Sequence, residues 1–280
     1  MSLNAGKLLR ETYDYLGQVN YSRVTGTQAT NAITDTSIVD KYPDDAWDAI
    51  FISAVTLDAA PQDQFARVSA FDAATGIFTL LDPLTIAPPD ESSYGFVSSL
   101  YPVETIFNLI NPALKMIGYL PVTCAQGFTS DQKEYDLPTA VTKFRPVKVE
   151  YQVEVGVGEP WFEISDYRVT PGYPTAVGKI YLPNPPTGTG RITYMAEHAD
   201  VEAYDDDIHE MVDETLAIYA LALKSLEWQI GRTQGAEDYV KDEYNKVVQK
   251  FQDRLLLHAP EEPVEQPQLF IAGMDDFLSV

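Results

Sequence analysis

One cysteine, Cys124, stands in 280 residues. Neither an intrachain disulfide nor a thiolate zinc cluster can be built from it, and its expected role is a small buried apolar side chain. Histidine is almost as scarce. His198, His209 and His258 are the full set, and no two stand at a recognised metal spacing. His198 and His209 lie amid carboxylates, which points weakly to a divalent ion and more strongly to a solvated acidic face. Positive charge is short as well: 19 Lys and Arg against 42 Asp and Glu leave a net charge of -23. Such a surface repels a phosphate backbone and is a poor candidate for sequence-reading or packaging of nucleic acid. It suits a passage through which DNA slides without sticking, and it equally suits plain solubility. No apolar run approaches the roughly 18–20 residues of a spanning helix. The N-terminus, Met-Ser-Leu-Asn-Ala-Gly-Lys-Leu-Leu-Arg, has no long apolar segment of a secretory signal. The expectation is a soluble protein made in a reducing cytoplasm, with no membrane partner.

Motifs of catalysis are missing too. The chain has no Gly-x-Ser-x-Gly elbow, no His-Glu-x-x-His and no Gly-x-x-x-x-Gly-Lys. Carboxylates are so numerous that no glycosidase-like pair can be singled out. A structural or interaction protein is favoured over an enzyme, with no cofactor, no metal and no catalytic residue assigned.

What is present is a 45% hydrophobic chain, enough for a sizeable core. Its helical periods are clearest between Asp205 and His258. Ile208, Met211, Val212, Leu216, Tyr219, Leu223, Leu226 and Ile230 recur at three- and four-residue spacing. Tyr239, Val240, Tyr244, Val247, Val248, Phe251 and Leu255 do the same beyond Gly231–Gly235. Each set falls on one face, so a helical hairpin is predicted. A short amphipathic helix over 3–16 carries Leu3, Leu8, Leu9, Tyr13 and Leu16, with Gly17 as its stop. A further helical period follows Pro102, with a kink or two shorter helices expected at Pro112.

Between these lie short runs rich in β-formers: 32–40, 49–55, 65–71 and 76–81, then 133–137, 145–155, 161–164, 178–182 and 190–195. Asp72–Gly76 reads as a hairpin turn with Gly76 supplying an unusual backbone angle. Residues 179–182 and 191–195 are expected to form a second hairpin across Pro183–Gly190, which is a turn and not a phosphate loop. The expected class is α+β: a helical bundle with two antiparallel β-rich segments. Its parts are the N-terminal bundle helix (1–18), a β-rich insert (19–98), the middle helix (99–119), a second β-rich segment (120–200), the helical hairpin (201–258) and an extended docking arm (259–280).

Three charged or apolar stretches stand out. Residues 197–214 hold nine Asp or Glu and no Lys or Arg; Asp205, Asp206 and Asp207 are expected to cap the long helix by the favourable end of its dipole. Lys246, Lys250 and Arg254 share one face, and local ion pairs account for them better than a phosphate contact. After His258, three prolines and several glutamates lead to Leu269-Phe-Ile-Ala-Gly-Met-Asp-Asp-Phe-Leu-Ser-Val280, an apolar tip that reads as a docking peptide.

The order helix, strand-rich insert, helix, second strand-rich segment, acidic link, helical hairpin resembles the head-to-tail connector, or neck adaptor, proteins of tailed bacteriophages. The stretches that carry the resemblance are Ile33–Asp40 with Asp44–Trp47, Ala66–Thr79, Ile106–Pro121, Tyr135–Pro138 leading to Lys148–Tyr151 and Trp161, and Arg191–His198. It spans roughly 3–258. The resemblance implies a ring, most often of twelve copies, beneath the portal, linking capsid to tail and continuing the DNA channel. Implied partners are the portal protein, a tail or second neck protein, further copies of the chain, and passing genomic DNA without specific binding. The implied location is the capsid–tail neck of the virion. On this reading Tyr219, Leu223, Phe251, Leu269, Phe270, Ile271, Phe277 and Leu278 form subunit or portal contacts, and Asp205, Asp206 and Asp207 line the channel. The alternative is a virion decoration or carbohydrate-binding β module with a helical oligomerisation stalk, motivated by Tyr42, Trp47, Trp161, Tyr167 and Tyr173.

Overall fold

The computed structural model describes residues 3–26, 28–44, 46–54, 64–137, 146–153, 160–170, 178–233 and 238–258. They fall into two compact units: one built from the chain up to Gly118 together with His198 onward, the other on Tyr119–Glu197.

The first unit opens with α1 (Ala5–Tyr15), whose N-cap Asn4 accepts from the Lys7 N–H at 2.8 Å. The helix stops at Gly17, where φ is +66°. β1 (Val19–Arg23), β2 (Ala32–Thr34), β3 (Trp47–Ala54), β4 (Phe65–Asp72), β5 (Ile77–Leu80) and β6 (Ser93–Ser98) follow. They form one curled antiparallel sheet in the order β1-β6-β3-β4-β5-β2. Its concave face closes over Ile33, Ile50, Ile52, Phe71, Phe78 and Phe96, all nearly or fully buried. The turn Asp72–Gly76 joins β4 to β5 as its residues predict. Gly76 has φ +66°, and its carbonyl accepts from the Asp35 N–H at 2.9 Å.

Pro112 divides the middle helix into α2 (Val103–Asn108) and α3 (Ile110–Lys115), where it occupies the first turn of α3 and costs no helical hydrogen bond. The unit ends with α4 (Glu214–Thr233) and α5 (Asp238–His258). α4 packs against α1, α3 and α5, which is why its buried residues (Leu216, Ala217, Ala220 to Leu223, Leu226) wrap around more than one face. Among the described residues no helix is long and apolar enough to cross a membrane.

The second unit holds β7 (Leu120–Phe128), β8 (Glu134–Asp136), β9 (Pro146–Gln152), β10 (Phe162–Glu163), β11 (Arg168–Thr170), β12 (Lys179–Tyr181) and β13 (Gly188–Ala196). They make a four-stranded sheet, β10-β9-β13-β7, and a three-stranded sheet, β11-β12-β8. The two share a core of Phe128, Tyr135, Val149, Ile180, Leu182 and Ile192.

Two expectations are overturned. The class is β-rich, with three antiparallel sheets and about 33% strand, and is not a helical bundle carrying β segments. Only α4 and α5 are long, at 20 and 21 residues; α1 has 11, and α2 and α3 have 6 each. Strands that sequence reading passed over, β1, β6, β7 and β11, complete the sheets. Nor do 179–182 and 191–195 pair. β12 lies between β11 and β8, while β13 lies between β7 and β9. Pro183, Pro185 and Pro186 fix the backbone and remove N–H donors, so the link carries the chain to another sheet and does not fold it back.

Candidate functional site

The acidic run before α4 meets two helices, and the expected one, α4, is not capped by Asp205, Asp206 or Asp207. α4 begins only at Glu214, and the Asp213 carboxylate accepts from the Leu216 N–H at 2.9 Å as its cap. Asp205, Asp206 and Asp207 lie well upstream. Asp206 accepts the Glu202 and Ala203 N–H groups at 2.7 and 2.8 Å, and these bonds hold its carboxyl below the usual carboxylate range. The main-chain carbonyls of Tyr204 and Asp206 accept from Gly6 and Ala5 at 2.7 and 2.9 Å. The acidic segment therefore satisfies the first N–H groups of α1, and it does so with backbone where side chains were expected. Asp205 and Asp207 are exposed and Asp206 half-buried.

His198 closes the same region. Its Nδ1 bonds the Ala199 carbonyl at 2.5 Å and its Nε2 accepts from the His209 N–H at 2.8 Å, which fixes the neutral Nδ1–H tautomer. Burial, ahead of any neighbour, holds its pKa below the ordinary value. Both ring nitrogens are engaged. Among the described residues no group of three His, Cys, Asp or Glu stands ready for a metal ion.

The hairpin carries the expected contact residues Tyr219, Leu223 and Phe251. Leu223 and Phe251 are 3% and 6% exposed and sit in the core of one subunit. Tyr219 is half-buried and packs on Tyr15 with ring centres 5.3 Å apart. Lys250 crowns that pair, donating to the Tyr15 hydroxyl at 2.9 Å and standing 5.9 Å from the Tyr219 ring centre. Arg254 forms a two-pronged bridge to Asp213 at 2.9 and 2.8 Å, tying the end of α5 to the start of α4. Lys246 pairs with Glu243 at 3.3 Å. All three cations of the basic stripe are thus engaged inside the subunit.

The apolar side chains that the hairpin presents outward are others. Leu256 and Leu257 are 86% and 75% exposed at the end of α5, and Met211, close in sequence to the Asp213 anchor, is 53% exposed. A signal for them was available, because Leu255-Leu256-Leu257 is three leucines in succession and a helix cannot point three neighbours to one side. Toward the other end of the hairpin, Tyr239 and Leu100 border an open cleft of about 450 Å³ that also involves Leu16, Tyr101, Gln229 and Lys246. At its wall the Tyr101 hydroxyl donates to the Gln229 side-chain oxygen. Leu269, Phe270, Ile271, Phe277 and Leu278, with Tyr173, lie outside the described residues.

Of the aromatics considered for stacking on sugars, Trp47 is 8% exposed and packs edge-on against Phe96 with centres 4.4 Å apart. Tyr42 packs on both. Trp161 carries the Arg191 guanidinium 4.2 Å above its ring, and Arg191 in turn bonds Glu150 at 2.7 Å. Tyr167 is half-buried, its hydroxyl 3.4 Å from the Pro146 carbonyl. Comparison of the chain with protein-family models finds no match, and comparison with curated proteins finds none either.

Proposed function

We propose that this chain is a structural virion protein, a head-to-tail connector whose copies form a ring under the portal, link capsid to tail and continue the DNA channel. The observation that carries the reading is the exposure of Leu256 and Leu257 at the end of α5 away from the hairpin's turn, beyond the point where Phe251 is buried in its own subunit. Two neighbouring leucines left in water on an ordered helix suit a contact with another molecule. The charge of -23 supports the same reading, since an acidic wall lets DNA pass without holding it. So does the sequence texture that resembles neck adaptors. The function is mechanical, without a catalytic step. The portal protein, a tail or second neck protein and further copies of the chain are its partners, and the virion neck is its place.

Electron microscopy of the purified protein, alone and mixed with the portal protein of the same virus, tests this. Rings that stack coaxially on the portal are expected. A chain that stays monomeric and never associates with portal would overturn the reading.

A further inference from the structure

Sheets end in edge strands, and soluble proteins blunt such edges with brevity, charge or proline. Among the described residues five of the six edges are blunted. β2, β8 and β11 have three residues and β10 has two. β1, with five, ends in Arg23. The sixth edge is β7. It runs nine residues, Leu120-Pro-Val-Thr-Cys-Ala-Gln-Gly-Phe128, without one charged side chain, in a chain where 22% of residues are charged; its single proline, Pro121, blunts only the start of the strand and leaves Thr123 to Gly127 open.

The pairing pattern tells which of its groups face outward. The Ile164 N–H donates to the Val149 carbonyl at 2.8 Å, so Val149 turns toward β10 and Glu150 toward β13. Glu150 stands opposite Arg191, which leaves Ile192 facing β7, opposite Cys124. The Cys124 thiol, 3.4 Å from the Ile192 carbonyl, agrees. Thr123, Ala125 and Gly127 therefore direct their backbone N–H and C=O groups away from the sheet. All three are exposed. Among the described residues none of these outward groups has a main-chain partner; the Gly127 carbonyl accepts from the Gln126 side chain at 3.3 Å.

We infer that this edge accepts residues 269–274 of a second copy of the chain as an added strand. The inference rests on the reading of the protein as a self-assembling subunit. Leu269-Phe-Ile-Ala-Gly-Met274 contains neither charge nor proline, and its six residues match the ladder that Thr123, Ala125 and Gly127 offer. Residues 259–268 hold Pro260, Pro263 and Pro267 and are poor strand material themselves. At about 3.1 Å per residue for an extended proline-rich link, those ten residues reach roughly 30 Å, the width of a small domain. Asp275 and Asp276 end the uncharged run. Electrostatics select the match, because subunits of net charge -23 repel one another and an uncharged strand against an uncharged edge adds nothing to that repulsion. Backbone hydrogen bonds then supply the attraction.

The test uses the full-length chain with Cys124→Ser, Ala125→Cys and Ala272→Cys, prepared as a mixture of normal and nitrogen-15-labelled protein and gently oxidised. Mass spectrometry of the digest is expected to find positions 125 and 272 joined, with mixed-isotope pairs proving that the link runs between chains. Its yield is expected to exceed, at least five-fold, that of a control pairing Ala272→Cys with Ala70→Cys, an exposed position on β4. Ala125→Pro in the otherwise unaltered chain removes one outward N–H and no β13 bond; it is expected to weaken self-association at least ten-fold by light scattering while leaving the unfolding temperature nearly constant. Equal yields at both positions, links confined to single chains, or undiminished assembly with Ala125→Pro overturn the inference. Assembly without the selective link leaves the ring reading standing and removes only this contact; a chain monomeric at every concentration also removes this contact, and one that in addition never associates with portal removes both.

Discussion

Alanine at Gly76 and, separately, alanine at Gly17 distinguish an unfavourable backbone angle from a steric collision. Both glycines have φ +66°. At Gly17 a new Cβ meets nothing within 4 Å. The cost there is the left-handed conformation alone, about 1–2 kcal/mol, offset by roughly 0.4–1 kcal/mol because alanine stiffens the unfolded chain. A net loss of about 1 kcal/mol is expected. At Gly76 the same Cβ would stand 2.2 Å from the Asp35 carbonyl oxygen and 3.3 Å from a Val39 methyl. That carbonyl belongs to backbone pinned on several sides. The Asp35 N–H donates to the Gly76 carbonyl, and the Asp35 carboxylate accepts from the Ser22 and Tyr94 hydroxyls and the Ser37 N–H. Forcing it aside adds an overpacking penalty of about 1–3 kcal/mol. For a unit of this size each kcal/mol lowers the midpoint by about 2–4 °C. Thermal unfolding followed by circular dichroism is thus expected to fall by about 2–4 °C for Gly17→Ala and by roughly 4–16 °C for Gly76→Ala. Equal shifts in the two variants would refute the steric part of the reasoning.

Phe78→Ala removes a fully buried ring that stands 4.7, 5.7 and 5.8 Å from the rings of Phe71, Phe96 and Tyr94; a loss of about 3–5 kcal/mol in urea unfolding is expected, and a loss below about 1 kcal/mol would contradict this packing. His198 gives a pH dependence with a definite sign: below its ordinary value of 6.5 the unfolded chain takes up the proton before the buried native imidazole does, so stability present above pH 6.5 declines as pH falls toward the lowered native value. Urea midpoints measured at pH 7.5 and 5.5 are expected to differ more for the native sequence than for His198→Gln, and identical differences would remove His198 as the cause. Leu256→Ser with Leu257→Ser is expected to change stability by less than about 0.5 kcal/mol, as exposed substitutions do, while reducing self-association by light scattering; a large drop in unfolding temperature would mean that these leucines serve the fold.

The elements legible in the sequence are those whose signal is local. The period of Leu8, Leu9 and Tyr13, the stop at Gly17, the break at Pro112 and the turn at Asp72–Gly76 all arise from neighbours in the chain. β1 and β6 were hidden because Val-Asn-Tyr-Ser-Arg and Ser-Tyr-Gly-Phe-Val-Ser mix polar residues and glycine into short runs, and because each is completed by the other from far along the chain. β7 was hidden by Pro121 and Gly127. Hairpin patterning named Leu223 and Phe251 as contact residues, since periodicity identifies an apolar face without saying whether its cover comes from the same subunit. For Leu256 and Leu257 the three consecutive leucines carry a sequence signal, because one helix face cannot hold all three. In the acidic segment the carboxylates carry the sequence signal, while the main-chain carbonyls of Tyr204 and Asp206 cap α1.

The second unit lies in sequence between the two parts of the first, and this arrangement governs the order of events during synthesis. α1 packs on α4, and its Leu8, Leu9 and Tyr13 are wholly covered in the finished protein. About 200 residues separate these helices, so at about 5–20 residues per second α1 waits roughly 10–40 s on the ribosome for its partner. During that interval its apolar face has no native cover from α4, while the strands of residues 19–98 already have all their sheet partners. A nascent chain of this kind is an expected client for a ribosome-associated chaperone, and relocating α1 next to α4 and α5 in the order of synthesis would shorten the wait.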